Sequence, residues 1–429
     1  MIRQAAGVNA LYLLQVATSF AVVVYISFLY GASKQVDVYF FALGIVAFHQ
    51  TIFANIISIR GILLWKSDQK NKYKQFIQNI AAFTLIEVLV CLVLLYFWGE
   101  RLARANDYTP LDINYSVGLV VASLPIVSAM AIISSAWDAQ LQFHKSYVYT
   151  VAQNILFMAV LTALLKSNID AGIVLSIGFL LSLIAVFLLV IASERTVLHQ
   201  LYARMRARSL SPSHAEPWDN FSVYFVLGTA GMASIPLLER ILALGLGEGA
   251  VSSLNYAYRI ANFLGFGISA GISTVVLPLS IDALRTKNAE TIRTFFRRLF
   301  RTLLILGLIV AVCIVAITLS GEVLVRAVYF RGHFDTVALE QTKLALLGYI
   351  GVLLNLAFNT IIVKVLFSLG SYKYTMILYV IAPIMYFTYA VEYADQSIFG
   401  LAMSMSLVLG VLLALNAGRL FAARRMLDV

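Results

Sequence analysis

From Ala171 to Ser193 the chain runs without a charged side chain, through Leu, Ile, Val, Phe, Ala and Gly. An α-helix crossing bilayer hydrocarbon needs about 20 such residues at about 1.5 Å each. The pattern recurs. Twelve candidate spans fall at 8–30, 37–58, 80–98, 116–137, 147–166, 171–192, 221–246, 251–278, 299–320, 343–368, 374–391 and 396–418. Hydrophobic residues make up 61% of the chain and charged ones 12%, with a mean hydropathy of +0.89. Those values exclude a soluble enzyme, a disordered chain, a collagen and a secreted disulfide scaffold. The apolar runs are continuous rather than alternating, which excludes an outer-membrane barrel. The expected fold class is an all-α polytopic membrane protein of about twelve transmembrane helices.

The longest polar stretch, Glu194 to Asn220, carries Arg195, Arg204, Arg206 and Arg208 and then the breaker-rich SPSHAEP. It lies mid-chain, between spans six and seven. The expected organisation is an N-terminal six-helix lobe (1–193), a cytoplasmic basic linker (194–220) and a C-terminal six-helix lobe (221–429). With the N-terminus placed in the cytoplasm, the cytoplasmic segments hold 21 of the 31 Lys and Arg residues and the outer segments 7. By the positive-inside rule both termini are cytoplasmic. The net charge of +10 then reports basic loops and does not indicate nucleic-acid binding. The N-terminus shows no small-residue cleavage site and reads as a retained first helix. Cys91 and Cys313 lie in apolar runs and suggest neither a disulfide nor a metal site. A faint echo links the halves: Gly31 matches Gly247, Ser33 matches Gly249 and Asp37 matches Ser253. Each follows a tight turn after the first span of its half, as in a parallel repeat.

Charges within spans are costly and usually face a cavity or a partner. Arg240, beside Glu239, lies about 12 Å below the turn near Glu248, and Arg259 about 16 Å below it on the next helix, at about 1.5 Å per residue. Two readings are open: a cationic cavity for an anionic headgroup, or a structural Glu239–Arg259 pair. Lys364, near a span end, reads as a snorkelling side chain. Glu87 has no obvious local partner and reads either as a protonatable coupling site or as a paired, neutral acid. His49 and Gln50 either contact a polar ligand or hydrogen-bond between helices. Gly267 and Gly271 form a small-residue face for close packing, or a hinge. Pro125 and Pro383 are kink candidates. Arg331, His333 and Asp335 read as a solvated loop. No nucleotide, metalloprotease or serine-hydrolase motif stands in a suitable context, so no catalytic residue and no metal site is assigned.

Three stretches carry a family likeness. GEGAVSSLNYAYRIANFLGFGISAGISTVVLPLS (Gly247–Ser280) resembles the span-eight region of MviN/MurJ-type lipid flippases, members of the multidrug/oligosaccharidyl-lipid/polysaccharide (MOP) exporter superfamily. VRAVYFRGHFDTVALEQTKLALLGY (Val325–Tyr349) resembles that family's loop after span nine. YGASKQVDVYFFAL (Tyr30–Leu43) resembles its span-two start. The resemblance implies two six-helix lobes related by a pseudo-two-fold around a central cavity. It also implies transport of a polyprenyl-diphosphate-linked saccharide from the inner to the outer leaflet of the bacterial cytoplasmic membrane. The family's cavity arginine falls on Arg259 and its span-two Asp on Asp37. Together with Arg240 and Gln50 these form the expected diphosphate site. The family's span-one Arg-Asp pair falls on Val22 and Val23, its span-two arginine on Gln50, the acidic residue before the span-eight arginine on Tyr258, and its span-two proline on Val46. Peptidoglycan flippases also carry two further helices.

These departures turn the expectation toward an exopolysaccharide repeat unit or a lipid II-like precursor. The rivals are a lipid II flippase proper, a cation-coupled multidrug exporter, a membrane-embedded glycosyltransferase or polymerase, and a non-transporting scaffold. Implied partners are the lipid-linked saccharide, membrane lipids and envelope or polysaccharide synthesis proteins. No cofactor beyond a coupling ion is expected.

Overall fold

The structure, a computed structural model, describes residues 2–57, 61–66, 70–105, 108, 110–140, 142, 144–167, 169–206, 220–286, 288–392 and 397–426. The described elements are all helices: α1 (Ile2–Tyr30), α2 (Lys34–Ile56), α3 (Ile62–Lys66), α4 (Lys70–Ala105), α5 (Pro110–Val121), α6 (Leu124–Ala139), α7 (His144–Leu164), α8 (Ala171–Ser193), α9 (Arg195–Arg206), α10 (Asn220–Leu244), α11 (Ala250–Arg285), α12 (Ala289–Tyr329), α13 (Thr336–Gly348), α14 (Ile350–Ser368), α15 (Tyr372–Glu392) and α16 (Ile398–Met426). Eleven segments among the described residues are long and apolar enough to cross a membrane. The 36-residue α11, which packs along α14, is not among them. Apolar side chains cover the outside as well as the inside. Leu85, Leu89 and Phe97 on α4 and Leu304, Leu308 and Leu319 on α12 are exposed, as a hydrocarbon solvent allows.

The expected spans four and ten are each two helices. α5 stops at Val121 and α6 restarts after Ser123, with Pro125 in its first turn. Proline has no N–H to donate and its ring blocks the preceding turn. The break at Tyr349 between α13 and α14 has no proline. There the Tyr349 N–H donates back to both Ala345 and Leu346. α15, in contrast, runs unbroken through Pro383. The 36-residue α4 is about 54 Å long at 1.5 Å per residue, so its ends stand outside the hydrocarbon, and the 41-residue α12 is kinked at Ser320 (φ −131°, ψ 18°).

The segments α1–α8 and α10–α16 share local features. Gly31 (φ 62°) and Gly247 (φ 101°) both adopt the left-handed conformation that glycine tolerates best. A helix starts three residues after each, at Lys34 and Ala250. The broken crossings are the fourth of each half. The basic segment between the halves begins as α9, whose Val197 and Leu201 are buried in a cluster with Trp65, Tyr73 and Trp137. SPSHAEP lies outside the described residues. α2 packs closely along α10, whereas the equivalent pair, α1 and α11, touches more sparsely. Within the second half, α10 reaches α15 at Gly231, where a Cβ would collide with the Tyr379 carbonyl.

Candidate functional site

A cavity of about 510 Å³ lies between the halves. Its wall comes mostly from α1, α2, α6, α7 and α8. The second half contributes Arg240, Asn255 and Arg259. The helical arithmetic that put the two arginines at similar depth is matched by a shared cavity. The Arg240 guanidinium lies against Gly44 of α2, where a Cβ would sit 2.6 Å from Nη1 and 2.9 Å from Cδ. The absence of a side chain at Gly44 is therefore what lets Arg240 cross from α10 to the α2 wall. Arg240 Nη1, Arg259 Nε and both polar atoms of the Asn255 carboxamide are buried without a hydrogen-bond partner. The like charges of Arg240 and Arg259 also act on each other. Buried donors are normally satisfied. Two repelling cations and an idle amide turned into one cavity form a ready receptor for an anion.

Asn255 escaped the sequence reading. Its signal was present: it precedes Arg259 by four residues and so shares its helix face.

Glu239 does not pair with Arg259. Its Oε2 accepts from the Tyr349 hydroxyl at 2.7 Å, which ties α10 to the α13–α14 break. Gln50 lines the cavity. Asp37 does not, and this corrects its expected place in the diphosphate site. Its fully buried carboxyl group accepts from the backbone N–H groups of Gly249 and Ser252, both at 2.7 Å, and from the Tyr108 hydroxyl at 3.3 Å. Asp37 thus caps the N-terminus of α11 from the opposite half, where a helix leaves its first N–H groups unpaired. The Tyr256 hydroxyl donates to Gly31 O at 2.6 Å nearby. The His333 N–H donates to Phe28 O at 3.1 Å, and Asp335 caps α13 through Ala338 N at 2.8 Å. The loop expected to be free in solvent is therefore part of a seal between the halves at this end.

Glu87 finds its partner 38 residues away: its Oε2 lies 2.5 Å from His49 Nδ1. His49 Nε2 is 2.8 Å from Ser128 Oγ, which is 2.8 Å from Thr84 Oγ1. This polar chain, buried except at Glu87, joins α2, α4 and α6 beside the cavity. Lys364 does not snorkel but donates to Ser273 O on α11 at 2.6 Å. α11 runs unbroken through Gly267 and Gly271. Gly267 is exposed with open space around it, and the close helix approach is made instead at Gly265, whose Cβ would sit 2.8 Å from Leu356 Cβ. Val22, Val23 and Val46, where the flippase pattern differs, all line the cavity.

Gly44→Ala tests the seat of Arg240. The guanidinium is the free end of a flexible chain, so it will move while the fold holds. The expected result is unchanged thermal stability with several-fold weaker binding of a polyprenyl diphosphate. Unchanged affinity would take Arg240 out of the site.

An all-helical chain with eleven candidate membrane spans among its described residues, arranged around a cavity, defines a polytopic membrane transporter of the MOP exporter fold. The family model described as lipid II flippase MurJ matches residues 26–420, and the chain belongs to that family. A solved lipid II flippase MurJ in an inward closed conformation superimposes with a TM-score of 0.72 at 19% identity, covering 96% of this chain and 87% of that one. An inward-facing multidrug resistance MATE family transporter gives 0.68 at 15% identity, covering 96% of each chain. A MOP superfamily transporter from Pyrococcus furiosus, described as having a binding pocket of reverse polarity, gives 0.62 at 14% identity, covering 99% of this chain and 95% of that one. At these identities the structures share the fold. No curated protein matches the chain.

Proposed function

We propose that the protein flips a polyprenyl-diphosphate-linked saccharide of the exopolysaccharide repeat-unit type from the inner to the outer leaflet of the bacterial cytoplasmic membrane. The observation that carries this reading is the convergence of Arg240, Arg259 and Asn255, all with unmet donors, in one cavity. A diphosphate supplies the oxygens those donors lack, and Arg forks suit phosphate. A cationic drug would meet charges of its own sign there, which speaks against the multidrug reading. Valines at 22 and 23, together with Gln50, leave this cavity with less charge than the lipid II flippase pattern carries, and this favours a different saccharide.

The halves 1–193 and 221–429 rock against each other. Both termini face the cytoplasm, so the Asp37 latch closes the outer end and the cavity loads from inside. The prenyl chain stays in lipid. Export of a diphosphate moves negative charge out of a negative interior, a drive of about 2.3 kcal/mol per charge for each 100 mV.

The test is reconstitution in vesicles with a fluorescent polyprenyl-diphosphate disaccharide, whose leaflet is read by an impermeant quencher. Transfer is expected only with protein, and faster when the loading side is negative. Transfer equal to that of empty vesicles would sink the proposal. A bacterium depleted of its lipid II flippase should not be rescued despite good membrane expression. Rescue would reassign the saccharide to lipid II.

A further inference from the structure

The cavity has a second wall, away from the arginines. Gln15 on α1, Gln50 on α2 and Gln153 on α7 all line it. None of these three carboxamides hydrogen-bonds to another described residue. Asn154 on α7 donates to Thr18 Oγ1 at 3.1 Å and Ser19 Oγ at 2.9 Å, which fixes its orientation beside them. Near the C-terminal end of α6 lies Trp137, fully buried and stacked on Tyr149 with ring centroids 5.1 Å apart and planes 13° from parallel. Its indole Nε1 is buried without a partner, although the ring lines the cavity. An idle indole N–H in that position is an independent sign of a missing ligand.

We propose that this wall binds the body of an uncharged saccharide bearing hydroxyl or acetamido groups. The proposal rests on the flippase reading above and narrows its substrate. A carboxamide offers two donors and one acceptor on a rigid plane, which suits sugar hydroxyls that both donate and accept. Tyr149, only partly buried and backed by the stacked Trp137, supplies the apolar surface against which a ring can lie. The charge pattern sets the selectivity. Among the described lining residues the fixed charges are Arg240 and Arg259, at the other end of the cavity and committed to the diphosphate. His49, next to Gln50, is engaged by Glu87 and Ser128. Glu194, which accepts from the Tyr149 hydroxyl, is paired with Lys145. A carboxylate on the saccharide would therefore find no uncommitted cation at this wall, and an ammonium no uncommitted acid. Either would be buried unpaired, which is strongly unfavourable. The wall thus admits neutral repeat units and rejects those carrying uronic acids or peptides.

The test uses the full chain in nanodiscs and three probes: a bare polyprenyl diphosphate, the same lipid with a neutral disaccharide, and the same lipid with a uronic-acid disaccharide. The neutral glycolipid is expected to bind at least about tenfold tighter than the bare lipid, as two or more net hydrogen bonds would give. The uronic-acid form is expected to gain nothing. Gln15→Leu with Gln153→Leu should erase the sugar-dependent gain while leaving the affinity for the bare lipid, which also reports correct folding. Equal binding of bare and neutral lipids, or preference for the acidic one, would overturn the proposal. So would a double variant that keeps the gain. If the bare lipid does not bind the unaltered protein, the flippase reading itself fails, and that outcome is distinct from these.

Discussion

Arg259→Ala will abolish flipping while leaving a protein that inserts and folds. In the empty state Arg259 is a liability to stability, since its Nε is buried without a partner and its charge acts on Arg240. Removing an unpaired buried charge relieves that penalty, so thermal stability of the empty protein should hold or rise. Binding behaves oppositely. Hydrogen bonds to charged groups contribute about 1.5–3 kcal/mol each. Loss of a two-pronged contact therefore costs about 3 kcal/mol or more, at least a hundredfold in Kd. Arg259→Lys keeps the charge but loses the planar fork, and should fall between the two. Arg240→Ala should act in the same direction, and the double variant should cost less than the sum because both contact one ligand. Titration calorimetry with a polyprenyl diphosphate, alongside thermal unfolding, reads both effects. A variant that loses stability and keeps affinity would show that Arg259 is a structural residue.

The parts of this site that were readable from sequence depend on distance along a helix. Arg240 and Arg259 could be set at similar depth because both are counted from the turn at Glu248, at a fixed rise per residue. The eleven candidate spans found of the twelve expected, the echo of Gly31 in Gly247 and the break at Pro125 follow from equally local rules. What was hidden depends on rotation about the helix axis and on partners remote in sequence. In a soluble helix the polar face marks the outside. Here the outside is as apolar as the core, so nothing in the pattern says which way Glu87 or Gln153 points. Glu87 finds His49 only after α2 and α4 pack. The break at Tyr349 follows no proline and is held by its hydroxyl bond to Glu239, a residue three expected spans earlier in its half. Asp37 misled for a related reason. Its position in a flippase-like motif was plain, but its partners, Gly249 and Ser252, lie 212 and 215 residues away.

That separation is what makes Asp37 informative about the transport cycle. Its two oxygens bind backbone N–H groups of the opposite half at 2.7 Å, and no other cap is available at α11, whose N-cap residue is Gly249. Asp37→Ala leaves both N–H groups buried and unpaired in the closed state, at about 1–3 kcal/mol each. When the halves part, water reaches the same groups and the penalty disappears. The substitution therefore acts on the difference between the two states rather than on folding as a whole. A bias of about 3 kcal/mol moves the closed-to-open ratio by more than a hundredfold. Spin labels at Tyr115 on α5 and Glu248 in the α10–α11 turn, both exposed, will report the change. The unaltered protein should show one short distance, and Asp37→Ala a dominant longer one. Asp37→Asn retains one acceptor and should populate both. Flipping should fall in the same order, because a cavity held open at this end is seldom presented to the loading side. The affinity of the closed form for a polyprenyl diphosphate should not change, which separates this variant from Arg259→Ala. An unaltered distance distribution in correctly inserted Asp37→Ala would mean that the ring contacts of Tyr256 with Phe40 and of Tyr329 with Phe20 close this end without the latch.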